Sequence, residues 1–410
     1  MIQSAPAPDG LSSTSDILRL RAPASFKAVA LGCARVGGGR LTMRLPDGQT
    51  LVFGDADEPK LEMVIRDYRF ARRVVLQGDI GFADGYIAGE WETPDLAGLL
   101  TFLSANSDRF MNLFRGAALV RGMNFMRHLT KANTRAGARR NIHEHYDLGN
   151  KFYAAWLDAT MTYSSARFEK PGEALNEAQL NKYRALAHHL DLQPGDRVLE
   201  IGCGWGGFAE VAASEYGAHV TGLTISQEQF DFATERLRRK GLAERTRIEL
   251  KDYRDIEGAF DKVASIEMFE AVGERYWPTS FDVIARVLRP GGAAALQIIT
   301  IRNDLFEAYR RRVDFIQRYI FPGGMLPSLQ RLRGEVERAG LSWRRTDSFG
   351  QSYAETLAEW ARRFSFKWDE IRSLGFDERF RQLWRFYLGY CEAGFRSGRT
   401  DVVQIALAKP

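Results

Sequence analysis

Along the second half of this 410-residue chain, short continuous apolar runs alternate with stretches in which apolar residues recur every three to four positions. The pattern predicts helix 176–190, strand 197–201, helix 206–216, strand 219–223, helix 226–240 and strand 247–250, with further strands at 262–266, 293–299, 342–347 and 402–407. Strands alternating with helices imply a parallel sheet covered on both faces. Residues 302–340 and 355–396 are helical in pattern, rich in aromatic residues and too long to be connections. They are expected to form a lid and a hydrophobic pocket from Phe306, Tyr309, Phe315, Tyr319, Phe321, Trp360, Phe364, Trp368, Trp384, Phe386 and Tyr387, although most such residues are core in any protein.

The first half has a different rhythm. Leu41 to Leu45 and Gln49 to Phe53 read as strands around the Pro46-Asp47-Gly48 turn, and amphipathic helical patterns follow. The stretch from Gly78 to Trp91 is crowded with glycine and aromatic residues, which predicts close packing; no catalytic constellation is visible there. The length exceeds the roughly 100–200 residues of one domain. The expected division is a disordered lead over 1–24, an N-terminal domain over 25–120, a basic linker over 121–140 and a catalytic domain over 141–410.

Composition narrows the class. With 45% hydrophobic and 27% charged residues the chain is globular, and no apolar run approaches the roughly 18 residues that span a bilayer. The N-terminus lacks the basic-then-apolar order of a secretory signal, and Cys33, Cys203 and Cys391 lie far apart, so a reducing cytoplasmic setting is expected. The net charge of +5 suggests an anionic partner. Between Arg109 and Arg140 basic residues mix with Phe and Met without an acid, which suits a membrane-surface segment and a solvated linker equally.

The strongest local signal is Val198-Leu199-Glu200-Ile201-Gly202-Cys203-Gly204-Trp205-Gly206-Gly207, a strand entering a glycine turn that opens a helix. Such a turn lets backbone approach a ligand where open α/β sheets bind one. Gly202, Gly204 and Gly207 also satisfy G-x-G-x-x-G, which keeps a nicotinamide enzyme as a rival. Two features favour a methyltransferase. The second strand ends Gly222-Leu223-Thr224-Ile225-Ser226 without the acid that grips a nicotinamide ribose, and Arg289-Pro290-Gly291-Gly292 opens the fifth strand. Where nucleobase-amine methyltransferases carry an Asn- or Asp-Pro-Pro-aromatic motif, this chain has Ser265-Ile266-Glu267-Met268-Phe269-Glu270-Ala271, so nucleic acid is not an expected partner.

Taken with Ile142 to Asn150, Met161 to Ala166, Gln229, Lys251 to Asp255 and Tyr319 to Gly324, these motifs closely resemble the cyclopropane-fatty-acid synthases and their mycolic-acid relatives over nearly the whole chain. The resemblance implies an α/β fold, with a seven-stranded class I (Rossmann-like) methyltransferase domain, helical acyl-pocket inserts and a small α+β lipid-carrier-like N-terminal domain. It implies S-adenosyl-L-methionine as methyl donor and unsaturated phospholipid at the inner membrane face as substrate, with a cyclopropane or a methyl-branched fatty acid as product. By resemblance, Tyr163 and Ser164 contact the methionine end of the cofactor, Gly202 and Gly204 its backbone-facing side, Thr224 and Gln229 the ribose, and Tyr253 the adenine. Dimerisation through the first domain is implied in the same way.

In that family a bound bicarbonate is the implied base for ring closure, held by a glutamate, a histidine, a tyrosine and backbone groups. Glu270 and Tyr353 match two of these, whereas Gln297 stands at the histidine position, Ser165 at a cysteine position and Ala271 at a frequent histidine position. Serine keeps its backbone N–H. A carboxamide can hydrogen-bond an anion yet cannot relay a proton near neutral pH. Glu270, Tyr353, Gln297 and Ser165 are therefore the expected catalytic set, Glu270→Gln is expected to lose most turnover, and bicarbonate is expected only if Gln297 can replace the histidine. The proton is expected to leave from elsewhere on the cation, giving a methyl-branched alkene. His143 and His145 flank Glu144 without further ligands, so no metal is expected. The rival functions are a noncatalytic lipid carrier and a methyltransferase of another small molecule.

Overall fold

The computed structural model describes residues 11–110 and 148–410. The basic stretch beyond Phe110, the expected linker and the two histidines of the Ile142 motif lie outside these residues.

In the N-terminal part, β1 (Arg40–Arg44) pairs antiparallel with β2 (Thr50–Gly54) and parallel with β3 (Lys60–Ile65), and β4 (Trp91–Glu92) completes the order β2-β1-β3-β4. Leu41 and Met43 in β1, and Leu61, Met63 and Ile65 in β3, turn inward on the period of two that a pleated strand imposes. β3 was not anticipated. The disordered lead needs correction as well: helix Thr14–Arg19 is closed by a reciprocal Ser13–Asp16 capping box and anchored by fully buried Ile17. Gly81 and Gly85 serve close packing, as expected, whereas Gly89 has open space where a Cβ would stand and adopts φ +69°. Helices Arg69–Gln77 and Asp79–Ile87 approach so tightly that a Cβ on Gly81 would lie 2.1 Å from the Arg73 carbonyl oxygen.

The larger sheet contains β5 (Arg197–Ile201), β6 (His219–Thr224), β7 (Thr246–Leu250), β8 (Phe260–Ile266), β9 (Leu288–Ile301), β10 (Ser342–Ser348) and β11 (Thr400–Ala408) in the order β10-β11-β9-β8-β5-β6-β7. β5 to β9 are mutually parallel, and β11 runs antiparallel to both β9 and β10. The expected α/β class is observed. Helices Leu175–His189 and Gly207–Glu215 pack on one face of the sheet, and Trp277–Val287 and Leu329–Arg338 help build a second core. The first aromatic insert is broken into Asn303–Tyr309, Phe315–Tyr319 and Leu329–Arg338, with 320–328 outside any helix. The second consists of Gly350–Phe366, Trp368–Ser373 and Glu378–Arg396.

One apolar core continues through both parts of the chain. Helix Leu96–Ala105 packs along helix Glu378–Arg396, where Gly389 gives Leu96 room, and the Ser104 and Ser397 hydroxyls lie 3.1 Å apart. The Tyr319 hydroxyl donates to Asp84 at 2.5 Å across the same seam. No helix among the described residues is long and apolar enough to cross a membrane.

Candidate active site

A cavity of about 700 Å³ opens over the carboxyl ends of β5, β6, β8 and β9, where open α/β sheets bind ligands. Its floor follows from the glycine turn. Gly202 has φ +82°, and a Cβ there would lie 2.8 Å from Met268 Cγ; Gly204 has φ +53° with open space where a Cβ would stand. Both conformations suit glycine and leave bare backbone along the cavity. Thr224 donates to Gln229 Oε1 at 2.8 Å and so fixes the carboxamide that the helix Gln227–Arg239 brings to the cavity. Tyr253 lines the same end, and Tyr163, whose hydroxyl lies 2.7 Å from that of Tyr387, lines the other with Ser164.

Two buried ionisable residues beneath this cradle were not singled out from sequence. Glu200 is buried, with one carboxylate oxygen lacking a hydrogen-bond partner, and burial pushes its pKa up to about 8. It lines the cavity as an acceptor suited to an ammonium or hydroxyl on a bound ligand. Lys182 projects from the buried face of helix Leu175–His189 and donates to Ser164 Oγ at 2.6 Å. Burial holds its ammonium down to about 7 against the pull of Glu267, Asp158 and Glu200. The sequence signal was a lysine at helical spacing among Gln179, Tyr183 and Leu186.

Just beyond β8, three of the four expected catalytic residues converge on a carboxylate that sequence reasoning also missed. The Ser165 N–H and Gln297 Nε2 donate to Glu267 Oε1 at 2.8 and 2.7 Å, and the Tyr353 hydroxyl donates to Glu267 Oε2 at 2.6 Å. Gln297 is set by the sheet: it stands opposite Ile266 of β8 and Gln404 of β11, and the Gln404 carboxamide donates to its Oε1 at 3.0 Å. Its nitrogen is thereby turned to Glu267. The fourth residue, Glu270, points elsewhere: it accepts from the Ile299 N–H at 2.5 Å, while Oε2 has no hydrogen-bond partner.

Both glutamates are surrounded by protein except where they meet the cavity. Burial raises Glu267, and the donors Tyr353, Ser165 and Gln297 together with the Lys182 charge pull it back. Burial and the neighbouring Glu267 charge push Glu270 up to about 8. Burial raises both carboxyls, but only Glu267 has several donors that favour its ionised form, so of the two it is the better placed to act as a base.

The family described as mycolic acid cyclopropane synthetase matches residues 133–405. The chain belongs to this family. It is similar to the tuberculostearic acid methyltransferase of Mycobacterium tuberculosis, 39% identical over 403 residues, or 94% of this chain and 92% of the relative. It is also similar to the cyclopropane-fatty-acyl-phospholipid synthase of Escherichia coli, 34% identical over 351 residues, or 84% and 87% of the two chains. Among solved structures, a cyclopropane synthase of Mycobacterium tuberculosis matches with a TM-score of 0.63 at 30% identity, covering 66% of this chain and 98% of its own. A mycolic acid cyclopropane synthase complexed with SAH and CTAB matches at a TM-score of 0.62 and the same identity and coverage.

As a member of the cyclopropane synthetase family, the chain is an S-adenosylmethionine-dependent C-methyltransferase, and the noncatalytic carrier finds no support. All seven residues expected at the cofactor line the cavity, as do Glu270 and Tyr353; Gln297 and Ser165 lie behind it. Of the aromatic candidates, Tyr309, Phe321, Phe386 and Tyr387 line the cavity, while Phe306, Phe315, Trp360, Phe364 and Trp384 are core. Bicarbonate does not fit. The Tyr353 hydroxyl, residue 297 and the backbone at 165, which would hold that anion, are already bonded to Glu267.

Proposed function

We propose that this cyclopropane synthetase relative methylates the double bond of unsaturated acyl chains in membrane phospholipid and yields a methyl-branched alkene in place of a cyclopropane. The observation that carries the reading is the convergence of Ser165, Gln297 and Tyr353 on Glu267, a carboxylate built into the chain where a free anion would otherwise sit.

An isolated alkene is a poor nucleophile, so the site must align it and exclude water. S-adenosylmethionine supplies a methyl group made electrophilic by its sulfonium. Glu200 and Gln229 offer hydrogen-bonding groups at the cradle, and Ile299, Ile301, Leu305 and Leu357 present an apolar wall for the acyl chain. With the donor bound, the alkene π pair would form the new carbon–carbon bond as the carbon–sulfur pair left with sulfur, and positive charge would appear on the neighbouring acyl carbon. Glu267, whose donors and the nearby Lys182 charge offset part of the upward push of burial, in its ionised form stabilises that charge and takes a proton from an adjacent acyl carbon; the released C–H pair becomes the new double bond. Gln297 orients the carboxylate and has no titratable nitrogen through which to pass the proton on. Glu270, held neutral by burial, braces the end of β9 through Ile299. The net charge of +5 supports work at an anionic membrane surface on the cytoplasmic side.

The test is incubation with S-adenosylmethionine carrying a fully deuterated methyl group and vesicles of unsaturated phospholipid, followed by mass and proton NMR analysis of the fatty acids. The expected product keeps all three deuterons, retains one double bond and shows no high-field ring protons. A cyclopropane would overturn the product assignment, and absence of label in lipid would overturn the substrate.

A further inference from the structure

Lys182 is completely buried and lies behind the cavity lining, so its ammonium touches neither the acyl chain nor the cofactor. Burying a cation is costly unless its partners offset the loss of water. Its Nζ donates to Ser164 Oγ at 2.6 Å and stands 4.2 Å from the centre of the Tyr183 ring. Three carboxyl groups from other parts of the chain act on it: Glu267 beyond β8 most strongly, then Asp158 beyond helix Asn150–Trp156 and Glu200 in β5.

Two hydrogen-bonded routes lead from this residue to Glu267. Along the first, the ammonium holds the Ser164 hydroxyl while Gln179, one turn earlier on helix Leu175–His189, donates to the Ser164 carbonyl at 2.9 Å. That carbonyl and the Ser165 N–H belong to one planar peptide unit, so fixing the carbonyl aims the N–H at Glu267 Oε1. The second route starts at the Lys182 carbonyl. Gln404 Nε2 donates to it and to Gln297 Oε1, at 3.0 Å each, and Gln297 Nε2 donates to Glu267. Helix Leu175–His189 thereby sets two of the three donors of Glu267, the third being Tyr353 from helix Gly350–Phe366.

Resting on Glu267 as the base of the proposed reaction, we infer that Lys182 is its positioning residue, which locks the Ser164–Ser165 peptide against the carboxylate and supplies the positive charge that favours ionised Glu267 inside the protein. The groups that face Glu267 are Lys182, the Tyr353 hydroxyl, the Gln297 carboxamide, the Ser165 N–H and Glu270, and among them Lys182 brings the cation. Burial raises the Glu267 carboxyl and the Lys182 charge lowers it, so removing that charge must make Glu267 harder to ionise.

The experiment follows kcat for methyl transfer to unsaturated phospholipid against pH, with both substrates saturating and the full chain in use. Above about pH 7 the wild-type lysine itself gives up its proton, so the comparison is made on the acid side, where the charge is present. In Lys182→Met the acid limb, set by ionisation of Glu267, is expected to move up by about 1 pH unit, a tenfold loss of support for the ionised form. Lys182→Arg keeps the charge and is expected to bring the limb back towards its wild-type position. Gln179→Leu releases the Ser164 carbonyl and leaves the charge in place, so it is expected to lower kcat by about 3-fold or more through a misaimed donor, with the limb unmoved. A purely structural lysine would alter kcat or unfolding temperature without displacing the limb, and a single cooperative unfolding transition checks that each variant is folded. A limb that stays in place in Lys182→Met, or moves equally in both Lys182 variants, overturns the charge assignment. Unchanged kcat in Gln179→Leu overturns the peptide lock, and does so even where the Lys182 variants fail to fold. Full turnover by Glu267→Gln overturns the base reading and this inference with it.

Discussion

Glu267 and Glu270 are three residues apart, yet their surroundings give them opposite tasks. Glu267 has three hydrogen-bond donors and adopts φ +49°, a left-handed conformation costing of order 1 kcal/mol for a residue with a side chain. The strained backbone puts its carboxylate among the donors. Glu270 has one N–H donor, an unpartnered oxygen and a pKa pushed up to about 8, so at neutral pH it is largely a neutral acid that a carboxamide can imitate. Glu267→Gln is therefore expected to lower turnover by about 100-fold or more while leaving S-adenosylhomocysteine affinity unchanged. Glu270→Gln, which the sequence alone marked as the damaging change, is expected to stay within about 10-fold of wild type. Steady-state methyl transfer with both variants decides the matter; equal losses would dissolve the division of labour.

At the scale of elements, the glycine-rich helix Asp79–Ile87 sets the N-terminal wall of the cavity, with Asp79 at its start, Phe82 on the lining and Asp84 bonded to Tyr319. Its position depends on contact with helix Arg69–Gln77, where Gly81 leaves no space for a side chain. Gly81→Ala is expected to destabilise the protein by about 1–3 kcal/mol, the usual cost of overpacking, and to raise the lipid KM by displacing this wall. Thermal unfolding and lipid titration measure the two effects; a substitution silent in both would show that the helices can separate without consequence. What could be read from sequence follows the same logic. β5 matched its expected span, and the neighbouring strands matched closely, because their apolar runs are bounded by glycine turns and polar helices. Helix Thr14–Arg19 was missed because only Ile17 carries its burial, in a segment otherwise rich in Ser and Thr. Glu267 was missed because its importance lies in a backbone angle and in donors up to 102 residues away, neither of which local pattern records. The cavity lining joins residues from positions 79 to 400, a juxtaposition made only by tertiary packing.

For the whole molecule, the cavity that permits catalysis also lowers stability in a pH-dependent way. Glu200 and Glu270 rise to about 8 from an ordinary 4.5, and Asp314 and Asp79 to about 7 and 6 from 3.8, chiefly through burial; Glu267 and Glu392 are raised for the same reason. Between about pH 4.5 and 7 the folded chain therefore keeps protons that the unfolded chain has released. Stability must fall as pH rises through that window. His189, lowered by burial, works in the opposite sense below the ordinary imidazole value but is one group against several. Strongly lowered surface carboxylates such as Glu235 and Glu359 titrate near 2 and add nearly constant stability above pH 5. Above pH 7 the sign changes for Lys182: its folded pKa near 7 lies below the ordinary 10.5, so the unfolded chain holds the extra proton and stability is regained as pH climbs. The ligand-free protein is accordingly expected to lose several degrees of unfolding temperature between pH 5 and 7 and to level off between 7 and 9. Glu200→Gln should flatten the lower limb, and Lys182→Met should remove the levelling above pH 7. Scans at constant ionic strength test this, and an unfolding temperature that rises from pH 5 to 7 would show that these carboxylates are ionised in the folded protein and that the cavity is wetter than its lining implies.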